Sequence, residues 1–191
     1  MAHVLVVGGT GMLKDVSLFL AQHENTVSVV ARNPERLETL TEEAMELRGR
    51  INPLRIDYRN IEGFKSQLRI AIQNYGPIIL VVNWMDSDAM EASDLVAEML
   101  DTSSPICRYF QVLSTSGNSF AEERYFVNPY THLPRILYRT VTLGYQPETG
   151  VLSRLLSPAE VCDGIIDAIR HDRRNAVIGS PEPVGRRSQT A

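Results

Sequence analysis

The stretch Val4-Leu5-Val6-Val7-Gly8-Gly9-Thr10-Gly11-Met12-Leu13 constrains the fold of this chain more than any other. An apolar run ends abruptly in glycines, and a helical pattern follows at once. A run that is apolar at every position is what a strand covered on both faces requires. Gly8 permits a tight turn, and Gly11 has no side chain to hold a pyrophosphate away from the backbone. The amides from Thr10 onward open a helix whose positive end favours anionic oxygens. Gly8, Thr10, Gly11 and Met12 are therefore the first candidate binding positions.

The run Val6-Val7-Gly8-Gly9-Thr10-Gly11-Met12-Leu13 resembles the nucleotide-binding turn of the short-chain dehydrogenase/reductase superfamily, nearest its extended and atypical branches. That resemblance implies a third glycine three residues after Gly11, where helix and strand pack closely. This chain has Lys14 there. Either the helix sits farther from the sheet, or Lys14 turns outward, to a phosphate or to solvent.

The 191 residues suffice for one domain with a full core. A net charge of −4 gives no basic surface for nucleic acid or membrane. The chain has no apolar run of transmembrane length and no leader pattern, so a cytoplasmic protein is expected. Cys107 and Cys162 lie far apart, without metal-ligand spacing, and are expected to pack as small apolar residues; no metal is expected.

Apolar periodicity predicts a first helix over Met12–His23 and a second strand over Thr26–Ala31. Asn33 and Pro34 mark the start of the next helix, expected to reach about Arg48. The end of strand two separates the two nicotinamide cofactors. An NAD site needs an acidic side chain there, about twenty residues past the glycine turn, to accept from the ribose hydroxyls. Here the chain offers Ala31 and Arg32. A guanidinium forks onto phosphate oxygens, Asn33 can add a hydrogen bond, and Arg36 either reaches the same phosphate or stays a solvated helix charge. NADP(H) is therefore expected over NAD(H).

Further elements are predicted at Pro53–Asp57 (strand), Ile61–Asn74 (helix capped by Asn60), Ile78–Val82 (central strand), Ser87–Leu100 (helix) and Arg108–Leu113 (strand). The family resemblance implies that Asp57 meets the adenine amino group while Tyr58 lines the adenine; the alternative for Asp57 is a loop cap at the strand end. Asn83 and Trp84 follow the central strand, where ligands lie in doubly wound sheets. Trp84 is either a pocket wall or core. The resemblance also implies a catalytic serine at the end of the fifth strand, which Ser114 matches; the alternative is a hydroxyl satisfying local backbone.

The resembled reductases carry a Tyr-x-x-x-Lys pair in which lysine lowers the tyrosine pKa. This chain has no lysine beyond Lys65. Tyr125 and Tyr130 lie in the right region, but four residues on stand Pro129 and Pro134. Those prolines limit any helix here to about 120–127. Tyr125 or Tyr130 is the candidate proton donor, with Arg124 or His132 as helpers; the alternative is that the tyrosines only pack and His132 is a loop residue. A less buried strand follows over Arg135–Leu143. Ser157-Pro158-Ala159-Glu160 is a capping box that opens a helix to about His171. A last short strand spans Asn175–Gly179, and residues 180–191 are expected to form a disordered tail.

The expectation is a single doubly wound α/β (Rossmann) domain over residues 1–179, with a mostly parallel sheet of about seven strands flanked by helices. Its expected role is NADP(H) binding and oxidoreduction of a small carbonyl or alcohol. The absent lysine leaves a non-catalytic NADP(H)-binding sensor as the alternative; an epimerase with tightly held cofactor would lack a sugar-nucleotide domain. No insertion supplies a substrate domain, so the pocket is small or shared with a second subunit of a homo-oligomer.

Overall fold

The computed structural model describes residues 1–86, 88–103, 105–114, 127–147 and 153–180. Its strands are β1 (His3–Val7), β2 (Thr26–Ala31), β3 (Arg50–Arg55), β4 (Ile78–Asn83), β5 (Cys107–Ser114), β6 (Ile136–Leu143), β7 (Tyr145–Pro147), β8 (Ser153–Leu155) and β9 (Asn175–Ile178). The helices are α1 (Lys14–Gln22), α2 (Pro34–Glu43), α3 (Ile61–Tyr75), α4 (Met90–Ser103) and α5 (Pro158–Arg170). Seven strands form one sheet in the order β3-β2-β1-β4-β5-β6-β9, and every neighbouring pair is parallel. The chain builds outward from β1 to β3, then returns to β1's other side with β4. The switch point lies between β1 and β4.

Alternation along β1 explains its continuous apolar run. Val4 and Val6 enter the core beneath α1, α2 and α5, while Leu5 and Val7 enter the core beneath α3 and α4. Burial of each such side chain contributes about 1.5–3 kcal/mol. Central strands are therefore apolar on both faces.

Helix starts follow their capping chemistry. Asn33 accepts the Arg36 amide at 3.0 Å, with Pro34 as the first helical residue of α2. Asn60 accepts the Gly63 amide at 3.1 Å. At α5 both halves of the capping box are made: Ser157 Oγ accepts the Glu160 amide, and Glu160 accepts the Ser157 amide. Arg154 of β8 holds the same Glu160 carboxylate through two bonds of 2.7 and 2.8 Å.

Several expectations change: the third strand is Arg50–Arg55 rather than Pro53–Asp57, and the fourth helix is Met90–Ser103 rather than Ser87–Leu100. The helix expected from Met12 begins at Lys14, because Gly8–Leu13 are used in consecutive turns. The second helix ends at Glu43 rather than near Arg48. β6 is buried over most of its length, because it is an inner strand whose side chains enter the cores on both faces of the sheet. The antiparallel ribbon β7–β8 was not expected; it is extended by a bridge from Tyr145 to Ser180. Tyr125 and the C-terminal segment 181–191 lie outside the described residues, as does the helix expected over 120–127 apart from Val127. No helix of the described residues is long and apolar enough to cross a membrane.

Candidate functional site

Gly8 leaves β1 with φ +81°, and its amide donates to Val30 O of β2 at 3.0 Å. A β-carbon here would stand 3.0 Å from Trp84 O, so both the conformation and the close passage of the chain after β4 select glycine. Gly9 is the tightest point of the turn. A β-carbon on it would meet Ser17 Oγ at 2.7 Å, Val29 Cγ1 at 2.8 Å and Val6 Cγ1 at 2.9 Å. Gly9 thus permits the helix–strand approach for which a third glycine was sought at Lys14. Lys14 turns away and donates to Glu43 Oε1 of α2 at 2.6 Å. Gly11 differs from both: a β-carbon there would meet nothing within 4 Å. The space over Gly11 is open, as a backbone that receives a ligand phosphate requires.

The far side of the turn is held by α5. Cys162 Sγ donates to Met12 O at 2.9 Å. Burial raises the Cys162 thiol pKa, partly offset by hydrogen bonds from the amides of Val16 and Asp15. Cys107, at the start of β5, is pushed up to about 12 by burial. Both cysteines are free and buried, as expected.

Arg32, at the end of β2, has a side chain 65% exposed, and its Nη1 lies 3.7 Å from Asp57 Oδ2. Asn33 Oδ1 is committed to the α2 cap. Arg36 is exposed one turn along α2. Past β3, Asp57 Oδ1 accepts the Arg59 amide at 3.0 Å, and the Tyr58 hydroxyl donates to Asp86 Oδ2 at 3.0 Å. Arg59, which the sequence reading did not single out, donates from Nη2 to Asp86 at 2.8 Å and to Asp88 at 3.0 Å. The loops after β3 and β4 are therefore joined at their rims. The Asp86 carboxyl is held below its ordinary range, first by the Arg59 hydrogen bond and next by Tyr58. Burial is the main reason the Tyr58 pKa is raised.

Asn83 lies inside the sheet–helix interface rather than on the crevice surface. It is fully buried, and its Nδ2 donates to Ser93 Oγ at 3.0 Å and Gln111 Oε1 at 2.9 Å. Among the described residues its Oδ1 has no partner. Trp84 is half-buried and packs against the core beneath α1 and α5. Ser114 is exposed at the end of β5, in register with Leu143.

Tyr130 packs into the interior instead of facing the crevice. It is 3% exposed. Its hydroxyl donates to Asp94 Oδ1 at 3.0 Å and shares a 3.1 Å hydrogen bond with Ser93 Oγ. Ser93 in turn bonds the Tyr109 hydroxyl at 2.9 Å. The rings of Tyr109 and Tyr130 meet edge to face, 5.5 Å apart. This is a buried polar network within the α4 face of the sheet. It engages the hydroxyl that a proton donor would have to present to substrate.

The structure thus brings Gly8, Gly11, Arg32, Asp57 and Tyr58 to the carboxyl end of the sheet on the β1–β3 side of the switch point, beside which open α/β sheets bind ligands. It places Asn83 and Tyr130 beneath that surface. Gly9 and Arg59 complete the arrangement. Their contacts lie in other elements, which spacing within one element does not show.

No protein-family model and no curated protein matches the sequence. Solved structures do resemble the fold. A citronellol catabolism dehydrogenase of Pseudomonas aeruginosa PAO1 is 18% identical over 94% of this chain and 93% of its own, with a TM-score of 0.73. A mutant short-chain dehydrogenase/reductase of Serratia marcescens is 12% identical over 94% of this chain and 97% of its own, with a TM-score of 0.75. A variant actinorhodin polyketide ketoreductase, solved with NADPH, is 17% identical over 92% and 94%, with a TM-score of 0.67. The chain has the doubly wound fold of the short-chain dehydrogenases/reductases.

Proposed function

We propose that this chain binds NADP(H) in the crevice beyond β1–β4 and acts as an oxidoreductase on a small carbonyl or alcohol. The observation that carries this reading is Arg32, an exposed guanidinium at the end of β2 where an NAD site needs a carboxylate. The residues present fit the group. Open space over Gly11 admits a pyrophosphate, held by the backbone of Gly8, Thr10, Gly11 and Met12. Arg32 takes the ribose-bound phosphate, with Arg36 one turn away. Asp57 and Tyr58 flank the adenine, and Trp84 borders the crevice where it crosses Gly8. When bound, the nicotinamide supplies or receives a hydride. Ser114 orients the carbonyl from the end of β5. Tyr125 is preferred to Tyr130 as proton donor because the Tyr130 hydroxyl is engaged by Ser93 and Asp94.

A second reading, an NADP(H)-binding sensor without turnover, draws on the same buried Tyr130 and on the lack of lysine beyond Lys65. Either role suits a cytoplasmic protein with two free cysteines, alone or as a homo-oligomer that completes the substrate pocket.

Calorimetric titration with NADPH and NADH, followed by a carbonyl screen with the tighter cofactor, tests both. The Arg32→Ala variant is expected to lose about tenfold or more in NADPH affinity and less than about twofold for NADH. Equal losses would refute the phosphate role. Tight binding without turnover across varied carbonyls would select the sensor.

A further inference from the structure

Asp86 and Asp88 stand just past β4, on the rim of the crevice that Arg32 serves. Two carboxylates there are a problem for an anion site, because they compete for Arg32 and repel an approaching phosphate. Asp57 already lies 3.7 Å from the Arg32 guanidinium. Arg32 also acts on Asp86, helping to lower its pKa, so the two share one electrostatic neighbourhood.

The structure meets the acidic pair with a second guanidinium. Arg59 Nη2 donates to Asp86 Oδ2 at 2.8 Å and to the two Asp88 oxygens at 3.0 and 3.3 Å. Its guanidinium carbon lies 5.5 Å from the centre of the Tyr58 ring, and Tyr58 in turn donates to Asp86 Oδ2. The side chains of Arg59, Asp86 and Asp88 are 41%, 61% and 71% exposed. Ion pairs so open to water add little to folding stability. Their effect lies in where they leave charge.

We infer that Arg59 is a positioning residue for anion selectivity: by engaging Asp86 and Asp88 it keeps Arg32 available to the ribose-bound phosphate of NADP(H), without touching the ligand itself. The inference rests on the reading of this crevice as an NADP(H) site. Arg59 links the loop after β3 to the loop after β4, and the neutralised rim lets the phosphate approach Arg32 without facing two bare carboxylates.

The test measures NADPH and NADH dissociation constants by calorimetry for the wild type and three variants, each checked for folding by circular dichroism. Arg59→Gln is expected to weaken NADPH about tenfold and NADH less than about twofold, since the two cofactors differ only in the phosphate. Arg59→Lys keeps the charge and is expected to stay within about threefold of wild type for both. Adding Asp86→Asn and Asp88→Asn to Arg59→Gln is expected to restore NADPH affinity. Equal losses for both cofactors, an Arg59→Gln variant that keeps its NADPH preference, or failure of the rescue would overturn the inference alone. A wild type that binds both cofactors equally would remove the Arg32 reading and this inference with it. A wild type that binds neither would remove the crevice as a dinucleotide site altogether.

Discussion

Three glycines in four residues do three different jobs. Gly8 takes a positive φ, Gly9 admits the close packing of α1 on the sheet, and Gly11 faces open space. Gly9→Ala places a methyl within 2.9 Å of three side-chain atoms and is expected to destabilise the fold by about 1–3 kcal/mol, measurable by urea denaturation. Gly11→Val is expected to leave the denaturation midpoint nearly unchanged while abolishing dinucleotide binding in calorimetry. A folded Gly11→Val protein with retained affinity would overturn the phosphate role of the turn. The sequence motif pointed to Gly8 and Gly11 because spacing carries that information. It did not point to Gly9, whose neighbours Val29 and Ser17 belong to β2 and α1. Arg59 escaped for the same reason: its carboxylate partners lie 27 and 29 residues away. Asn83 was placed correctly at the end of β4, yet the pleat turned its side chain inward, toward Ser93 and Gln111.

Among the elements, those with local signals were legible and those without were not. Asn33, Asn60 and Ser157 each start a helix where expected, because a cap is a contact between residues three apart. Ser157→Ala is expected to cost about 1 kcal/mol, read as a lowered urea midpoint. Its partner Glu160 has a carboxyl pKa lowered to about 2, first by Arg154 and then by Ser157. A depressed carboxylate pKa adds stability above its unfolded value, and that stability is lost as pH falls toward the folded value. The Ser157→Ala defect is therefore expected to shrink in acid, below about pH 4. The β7–β8 ribbon gave no such warning. Each strand has three residues, too few for an alternation to register, and the bridge to Ser180 is non-local.

At the scale of the molecule, the continuous apolar strands and the alternation of strand with helix gave the doubly wound sheet, since a parallel strand needs a crossover and a cover on both faces. A second polar cluster, apart from the one around Ser93, sits at His3. His3 is 2% exposed; its Nδ1 lies 2.8 Å from Gly76 O and its Nε2 2.7 Å from Ser28 Oγ. Burial lowers its pKa, opposed by the Gly76 hydrogen bond. With the folded pKa below the unfolded one, the unfolded chain binds more protons between the two values. The stability His3 confers is thus full above about pH 6.5 and declines as pH falls toward the folded pKa. Urea titrations across pH 5–7.5 are expected to show the stability gap between wild type and His3→Gln narrowing in acid. A constant gap would show that His3 does not titrate in this window.

The bond from Cys162 to Met12 spans 150 residues. At ordinary rates of protein synthesis, 150 residues take roughly 8–30 s to make. The glycine turn is made first, and the helix that buttresses it follows only after that interval. For that interval the nascent chain carries the glycine turn without this bond. The turn therefore gains this buttress only once α5 has been made and folded back onto it.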